Sequence, residues 1–440
     1  MGATIALLAG SAAAQPCSPE WGALGAGLAG GPANDLVVFN DGNGPAIYVG
    51  GGFNNAGGAP ANRIARWDGQ AWSTLGTGVN LTIIAMTLFD DGGGLALYAG
   101  GVFTTPATRI AKWDGQSWSP LGSGASSNVQ ALTVFNDGTG PALYAGGVFI
   151  NAGGLEVNRV ARWNGQAWSQ LGIGVNGTIQ HLMVFDDGTG AALYACGFFT
   201  EAGGVPGTAY LARWNGQAWS GVGTGVDGVT RAIGAYDDGD GPALYAAIDW
   251  YAIPTGVPTS RVAKWDGESW SEVGPSPSNG SIVDFAVFDD GTGGGPALYA
   301  AGTFTSVGGL SANRIAKWNG EVWSPLGSGI TGGGNVVNSL AIFDQGAGPA
   351  LFAAGGFATA GPIAASRIAL WQGCPPAPTC YPNCDDSTQA PILNVADFGC
   401  FLTKYAAGDP YANCDDSTQA PVLNVADFGC FLTRYAAGCP

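Results

Sequence analysis

Histidine is almost absent from this chain of 440 residues: there is one, His181, and only 15 Lys and Arg stand against 32 Asp and Glu. With one imidazole, copper chemistry that needs several His ligands is excluded. A Ser-His-Asp triad would have to use His181, and no Gly-x-Ser-x-Gly elbow is present. His181 sits in an apolar strand pattern, Thr178-Ile179-Gln180-His181-Leu182-Met183, and reads as a structural blade or channel residue. The shortage of basic residues leaves a net charge of −17, which argues against nucleic acid and anionic membranes as partners. Long hydrophobic runs are missing too, because Gly, Asn or Asp interrupts every segment before bilayer-spanning length. Charged residues make up only 11% and apolar ones 46%, so a large core is affordable and disorder is not expected. Helix signals are nearly absent before residue 390. Neither phosphate loops nor dinucleotide fingerprints occur.

What the chain has in abundance is glycine, 76 residues of it, set in a recurring stretch. One copy reads Ala142-Leu143-Tyr144-Ala145-Gly146-Gly147-Val148-Phe149, then Asn158-Arg159-Val160-Ala161-Arg162-Trp163-Asn164-Gly165, and closes on Trp168-Ser169. The closing tryptophan recurs at Trp21, Trp72, Trp118, Trp168, Trp219, Trp270 and Trp323, which defines seven units ending at Gly373. Each unit carries four strand signals. In the third they are Val129–Phe135, Ala142–Phe149, Val157–Trp163 and Trp168–Leu171. The first and third of these alternate only loosely, as strands covered on both faces would. Asn136-Asp137-Gly138 and Asn164-Gly165 between strands are hairpin signals. Four-stranded sheets repeated seven times bury both faces only when arranged radially, so a seven-bladed β-propeller is expected. Trp21–Leu24 has no third strand before it, and Trp371-Gln372-Gly373 has no fourth after it. The N-terminal strand is therefore expected to complete the last blade.

Of the 15 basic residues, 12 occupy two repeat positions, for example Arg63 and Arg66 or Arg314 and Lys317. The expected role is pairing within a blade with repeated acids such as Asp90, Asp187 or Asp290; the competing reading is a ring of ligand-binding cations. The acids fall mostly in Asp-Asp-Gly turns, where hairpin geometry explains them.

The motif Leu-Tyr-Ala-Gly-Gly, followed by Ala-Arg-Trp-Asn-Gly-x-x-Trp, resembles the kelch repeat across all seven units. The resemblance implies a propeller and no single activity. Trp stands where that family has Tyr before the acid, and Gly-Gly is degraded to Cys196-Gly197 and Ala246-Ala247. The largest departure is in the fifth unit, Asp249-Trp250-Tyr251-Ala252-Ile253-Pro254-Thr255. There Trp250 and Tyr251 are the candidate ligand-binding residues, as a hot spot or sugar-stacking platform. Local repacking after loss of Gly-Gly is the alternative.

Residues 1–14 look like a secretory signal ending at Ala14, residues 15–374 form the propeller, and 375–379 are a Pro-rich linker. Seven of nine cysteines lie from Cys374 to Cys439, which fits an oxidising compartment. Residues 380–440 contain two 30-residue copies of an Asx-rich loop, each leading into a helix, Val395–Ala407 and Val425–Ala437. They resemble a dockerin, more narrowly the Gly-Cys type. That resemblance implies calcium held by Asn383, Asp385, Ser387, Asn394 and Asp397, and by Asn413, Asp415, Ser417, Asn424 and Asp427. Each loop spans 15 residues rather than 12, so modest affinity is expected; the alternative is a disulfide-stapled helix pair with Asx caps. Cys17 and Cys374 flank the cut hairpin of the closing blade and are expected to form a disulfide.

The expected function is thus an exported, non-catalytic binding or scaffold propeller. Its tail would dock to a cohesin-like or cell-surface protein, and the propeller would take a glycan or protein ligand. The rival is a secreted polysaccharide-active enzyme using a carboxylate pair in the propeller.

Overall fold

A computed structural model of the chain describes residues 18–251, 258–275, 277–374 and 402–403. Among them are seven four-stranded antiparallel sheets. The third is representative: Val129–Asn136, Pro141–Gly147, Val160–Trp163 and Trp168–Gln170. Its turns form where the sequence places Asx residues. Asn136 Oδ1 accepts from Gly138 N and Gly140 N at 3.0 and 3.1 Å. Asn164 Oδ1 accepts from Gln166 N and Ala167 N at 2.9 and 2.8 Å, an Asx turn that leaves the side chain no other role. The first strand of each sheet packs on the first strand of the next, and the seventh returns to the first. The sheets therefore stand like propeller blades around an axis.

The burial pattern corrects one expectation. It is the second strand that is covered on both faces, Ala142 to Gly147 being buried without a break. The first strand mixes buried and half-buried positions, because it runs along the axis. There is also no single central core. Seven apolar clusters lie between neighbouring sheets, such as Phe135, Tyr144 and Val160 of the third against Leu182, Phe199 and Trp214 of the fourth.

A directional bond is added to each of these interfaces. The fourth-strand indole of every sheet donates to a main-chain carbonyl at the outer edge of the preceding one: Trp118 to Leu75 O at 3.2 Å, Trp168 to Leu121 O at 3.0 Å, Trp219 to Leu171 O at 3.0 Å. The ring closes by the same device. Glu20–Ala23 pairs antiparallel with Ile368–Gln372 in the register Trp21↔Trp371. Trp21 then donates to Leu326 O at 3.3 Å, and Trp72 to Leu24 O at 3.0 Å. The expected N-terminal closing strand is thus observed.

The basic residues divide by position. The second of each pair reaches a turn acid: Arg213–Asp187 at 3.4 Å, Lys317–Asp290 at 2.8 Å and Lys112–Asp91 at 2.6 Å. Asp90 was the expected partner in the second unit, but its Oδ1 is taken by Gly92 N and Gly94 N, so Asp91 carries the pair. The first of each pair turns to main-chain carbonyls, except Arg261 in the fifth sheet, which meets Asp227 and Glu272. Arg63, Arg159 and Arg367 donate to Phe53 O, Val175 O and Leu28 O at 2.7 to 3.1 Å.

Beyond Cys374 only Leu402 and Thr403 are described, both with helical backbone, so no α-helical module is described. Apart from Leu402 and Thr403, the dockerin-like helices lie outside the described residues, as do the calcium ligands Asn383 to Asp427, Cys17 and the signal and linker segments. No helix among the described residues is long and apolar enough to cross a membrane. Cys196 is a free, buried thiol, as expected of the odd cysteine. Cys374 is disulfide-bonded.

Trp21 is buried, with its ring centroid 5.1 Å from that of Trp371. Trp21→Ala is expected to lower the unfolding free energy by about 3–5 kcal/mol, read by chemical denaturation. Non-reducing peptide mapping is expected to recover Cys17 joined to Cys374; a Cys374 peptide linked to a tail cysteine would rule that closure out.

Candidate functional site

Each inner strand carries a β-bulge at the same place, where one residue has no partner on the second strand. A bulge re-aims side chains, and in six of the seven sheets both the bulge residue and its successor line the space at the axis. The bulge residue is Asn34, Gln130, Gln180, Arg231 or Asn338 in five sheets, and Ile84 or Val283 in the others. Its successor is Ala in three sheets, but Asp35, His181, Asp284 and Ser339 in the rest. These departures from the repeat converge on one cavity of about 630 Å³, lined by all of the polar residues just named except Arg231, together with Thr82, Met86 and Leu132. Thr82 and Val102 flank strand ends on the face bearing the longer loops, so the cavity lies toward that loop face. A second cavity of about 270 Å³ shares His181 and Asp284 with it and is otherwise mostly apolar, with Gly234 leaving room.

The polar side chains do structural work first. An inner strand is the edge of its sheet, and its main-chain groups face the axis unpaired. Asp35 Oδ2 accepts from Met86 N at 2.5 Å, and Asp284 Oδ2 accepts from Leu340 N at 2.7 Å. His181 Nδ1 accepts from Ile233 N at 3.4 Å. In each case the donor belongs to the next sheet. The amides serve carbonyls in the same way: Asn34 Nδ2 donates to Ile83 O, and Asn338 Nδ2 to Ala33 O, both at 2.8 Å. Gln180 Nε2 donates to Gln130 Oε1 at 2.5 Å, and Ser339 Oγ to Asp35 Oδ1 at 3.2 Å.

Burial governs the titration of these groups. Both carboxyl groups are enclosed where they line the cavity, so desolvation outweighs the N–H donors. Asp35 is raised to about 6. Asp284 is raised to about 7, with repulsion from Asp35 as a smaller cause. Burial pushes His181 down to about 4, so its imidazole is neutral. With Nδ1 accepting, the ring proton lies on Nε2. His181 is therefore the channel histidine the sequence suggested. Asp35 and Asp284 were missed, because acids were assigned to turns; comparison of the seven units at this one register position would have found them.

The fifth sheet places the predicted ligand residues. Its register shows that Ala247 and Ile248, not Ala246 and Ala247, replace the glycine pair. At the equivalent Gly147 an added Cβ would lie 2.2 Å from Asn128 O, so only glycine fits there. The first-position residue before each third strand is left-handed in six sheets, with φ of 66 to 73° from Arg63 to Arg367, and this ends the pairing. Arg261 is not left-handed, so Pro242–Tyr251 and Pro258–Trp265 continue as a longer hairpin. Trp250 stands in the register of the buried Phe149 yet is 43% exposed. The Arg261 guanidinium lies 5.3 Å over its ring and also pairs with Asp227. Tyr251 pairs in the strand with Pro258; its side chain lies outside what is described. Inside, the buried Asp249 takes hydrogen bonds from Arg231 Nε (2.8 Å), Ser260 Oγ (2.5 Å) and Ser281 Oγ (2.7 Å). Arg231 in turn lies 4.7 Å over the half-exposed Phe198. Arg231 and Arg261 thus each stack on an exposed ring, Phe198 and Trp250. Among the described residues no group of three or more His, Cys, Asp or Glu is placed to hold a metal.

The channel groups set the pH dependence of stability. A carboxyl group whose folded pKa is raised binds more protons folded than unfolded, so stability falls as pH rises from about 4 toward 6 or 7. His181, lowered to about 4, acts oppositely between about 4 and 6.5. Two carboxyl groups outweigh one histidine. The protein is therefore expected to be more stable at pH 4.5 than at pH 7.5, by roughly 1.4 kcal/mol per net proton and pH unit. Denaturation of Asp35→Asn/Asp284→Asn is expected to reverse the slope, leaving the histidine contribution.

No protein-family model matches the chain, and no curated protein matches it. Among solved structures, an ancestral GH74 enzyme is similar with a TM-score of 0.50 and 12% identity, over 81% of this chain and 48% of that one. The extracellular domain of a hybrid two-component system from B. thetaiotaomicron is similar with a TM-score of 0.48 and 12% identity, over 81% of this chain and 40% of that one. The chain thus spans less than half the length of either. What the likeness to the GH74 enzyme shows is the fold alone, a propeller-like ring of four-stranded antiparallel sheets.

Proposed function

We propose that the chain is an exported, non-catalytic binding protein built on a seven-bladed, kelch-like propeller. A dockerin-like, calcium-binding tail would join it to a cohesin-like or cell-surface partner. The observation that carries the binding role is the convergence of the non-repeating polar residues on one cavity at the loop face. Seven homologous units act as an internal control: at the bulge position and the one after it the polar residues vary from unit to unit, and those of five sheets line the cavity. Polar linings of this kind, set on rigid strands, suit recognition. Gly373 lies against Asp290, on the face of the Asp-Asp-Gly turns, so the chain leaves the ring opposite the loop face. Export is supported by the signal-like N-terminus and the disulfide at Cys374.

The enzyme reading has one observation in its favour, two carboxyl groups of raised pKa facing one cavity. Against it, both oxygens of each already accept N–H donors from the ring. Incubation of the full chain with a polysaccharide panel tests the choice. No turnover is expected, and turnover abolished by Asp35→Asn or Asp284→Asn would replace the binding role with catalysis.

Two further outcomes are expected. Trp250→Ala should weaken capture of a polysaccharide that the wild type retains by about tenfold or more in affinity electrophoresis, as the loss of an aromatic anchor does. Calorimetry of the full chain should register heat on adding millimolar Ca²⁺ after chelation, and Asp385→Ala/Asp415→Ala should remove it. Absence of heat in the oxidised wild type would leave the disulfide-stapled tail.

A further inference from the structure

We propose that the central cavity receives the end of an uncharged, hydroxyl-rich chain, a neutral oligosaccharide, entering from the loop face. The proposal rests on the reading of this cavity as the ligand site and specifies what fills it. At about 630 Å³ the space falls within the range of small-molecule sites, about 300–1,000 Å³.

The lining selects against negative charge, and to a positive one it offers only carboxylate oxygens that already accept N–H donors. No Lys or Arg lines the cavity, while Asp35 and Asp284 do, so an anionic end would be desolvated against acids with no counter-ion. A cationic end would find carboxyl groups already engaged. Asp35 accepts from Leu36 N, Met86 N and Ser339 Oγ, and Asp284 accepts from Phe285 N and Leu340 N. Their remaining lone pairs suit single hydroxyl donors better than a compact ammonium.

The short-range groups that remain alternate in kind. His181 presents Nε2–H as a donor, since Nδ1 is used by Ile233 N. Gln130 accepts through Oε1 and keeps its amide nitrogen, while Gln180 donates through Nε2 and keeps its oxygen. A hydroxyl group donates once and accepts twice, so neighbouring hydroxyls of a sugar match a wall of mixed donors and acceptors. Ile84, Met86 and Leu132 supply apolar surface in the same cavity, as the C–H faces of a pyranose require. A polyol end inserted along the axis satisfies both kinds of wall; a flat apolar ligand would leave the amides unpaired, a loss that binding sites avoid.

Titration calorimetry of the full chain tests this with cellotetraose, mannotetraose and xylotetraose, and with tetragalacturonate and the chitosan tetramer as charged counterparts. At least one neutral tetramer is expected to bind, and Gln130→Ala/Gln180→Ala is expected to lower its affinity tenfold or more. Gln180→Glu, which keeps the side-chain size, should lower it likewise, so a fold lost in the double variant does not decide the matter. A charged tetramer that binds in a Gln180-dependent way while the neutral ones do not would overturn the ligand class and leave the cavity standing as the site. Neutral binding unaffected by folded variants would overturn the cavity itself. No binding by any of the five overturns the proposal.

Discussion

An indole N–H reaching back to the preceding sheet is the constraint on which this ring depends. A four-stranded sheet with two apolar faces has no stable existence alone, and burial between neighbours is non-directional. Burial by itself would let adjacent sheets slide. The bond from Trp168 to Leu121 O, and its equivalents from Trp21 to Trp323, fixes each sheet against the last at its outer edge. Because Trp21 and Trp72 bracket the closing sheet on its two sides, the join between the chain's two ends obeys the same geometry as every continuous interface. The cut in the chain is therefore hidden in a regular position.

The inner edge poses the opposite problem. There the strands approach the axis, and the main-chain groups of each edge need partners. Asp35, Asp284, His181, Asn34 and Asn338 supply them across sheet boundaries. The same side chains form the wall of the cavity, so the polarity that would recognise a ligand is also what holds neighbouring sheets together. Asp35 and Asp284 flank the closing sheet from either side, through Ser339 and Leu340. Their raised pKa values follow from this enclosure and do not by themselves mark a catalytic pair.

The fifth sheet shows how one backbone conformation changes a surface. Six sheets end their second-to-third pairing at a left-handed residue, and Arg159 there turns its guanidinium onto a carbonyl. Arg261 is extended instead, the hairpin lengthens, and the arginine is released to stack on Trp250. A buried phenylalanine position thereby becomes an exposed tryptophan, while Asp249 takes up the interior beside Ser260 and Ser281.

Much of this was legible in the residues. The repeat of Trp-Ser with Leu-Tyr-Ala-Gly-Gly set the number and order of strands, since period-two patterns and Asx-Gly turns are local properties. The closing role of Trp21–Leu24 followed from counting strands. Which acid of each pair meets a cation was not legible, because it depends on the turn placing Asp91 against Tyr98 and Lys112 while Asp90 caps the turn N–H groups. Nor was the cavity. Asp35, His181 and Asp284 lie more than 100 residues apart, and nothing in their local sequence distinguishes a side chain aimed at an axis from one aimed at a neighbouring sheet. The sequence by itself determined the sheets and their order around the ring, because those rest on contacts between near neighbours in the chain. Only the tertiary structure decided where the polar departures meet, because a bulge at the same register turns those of six sheets toward one line that no single unit contains.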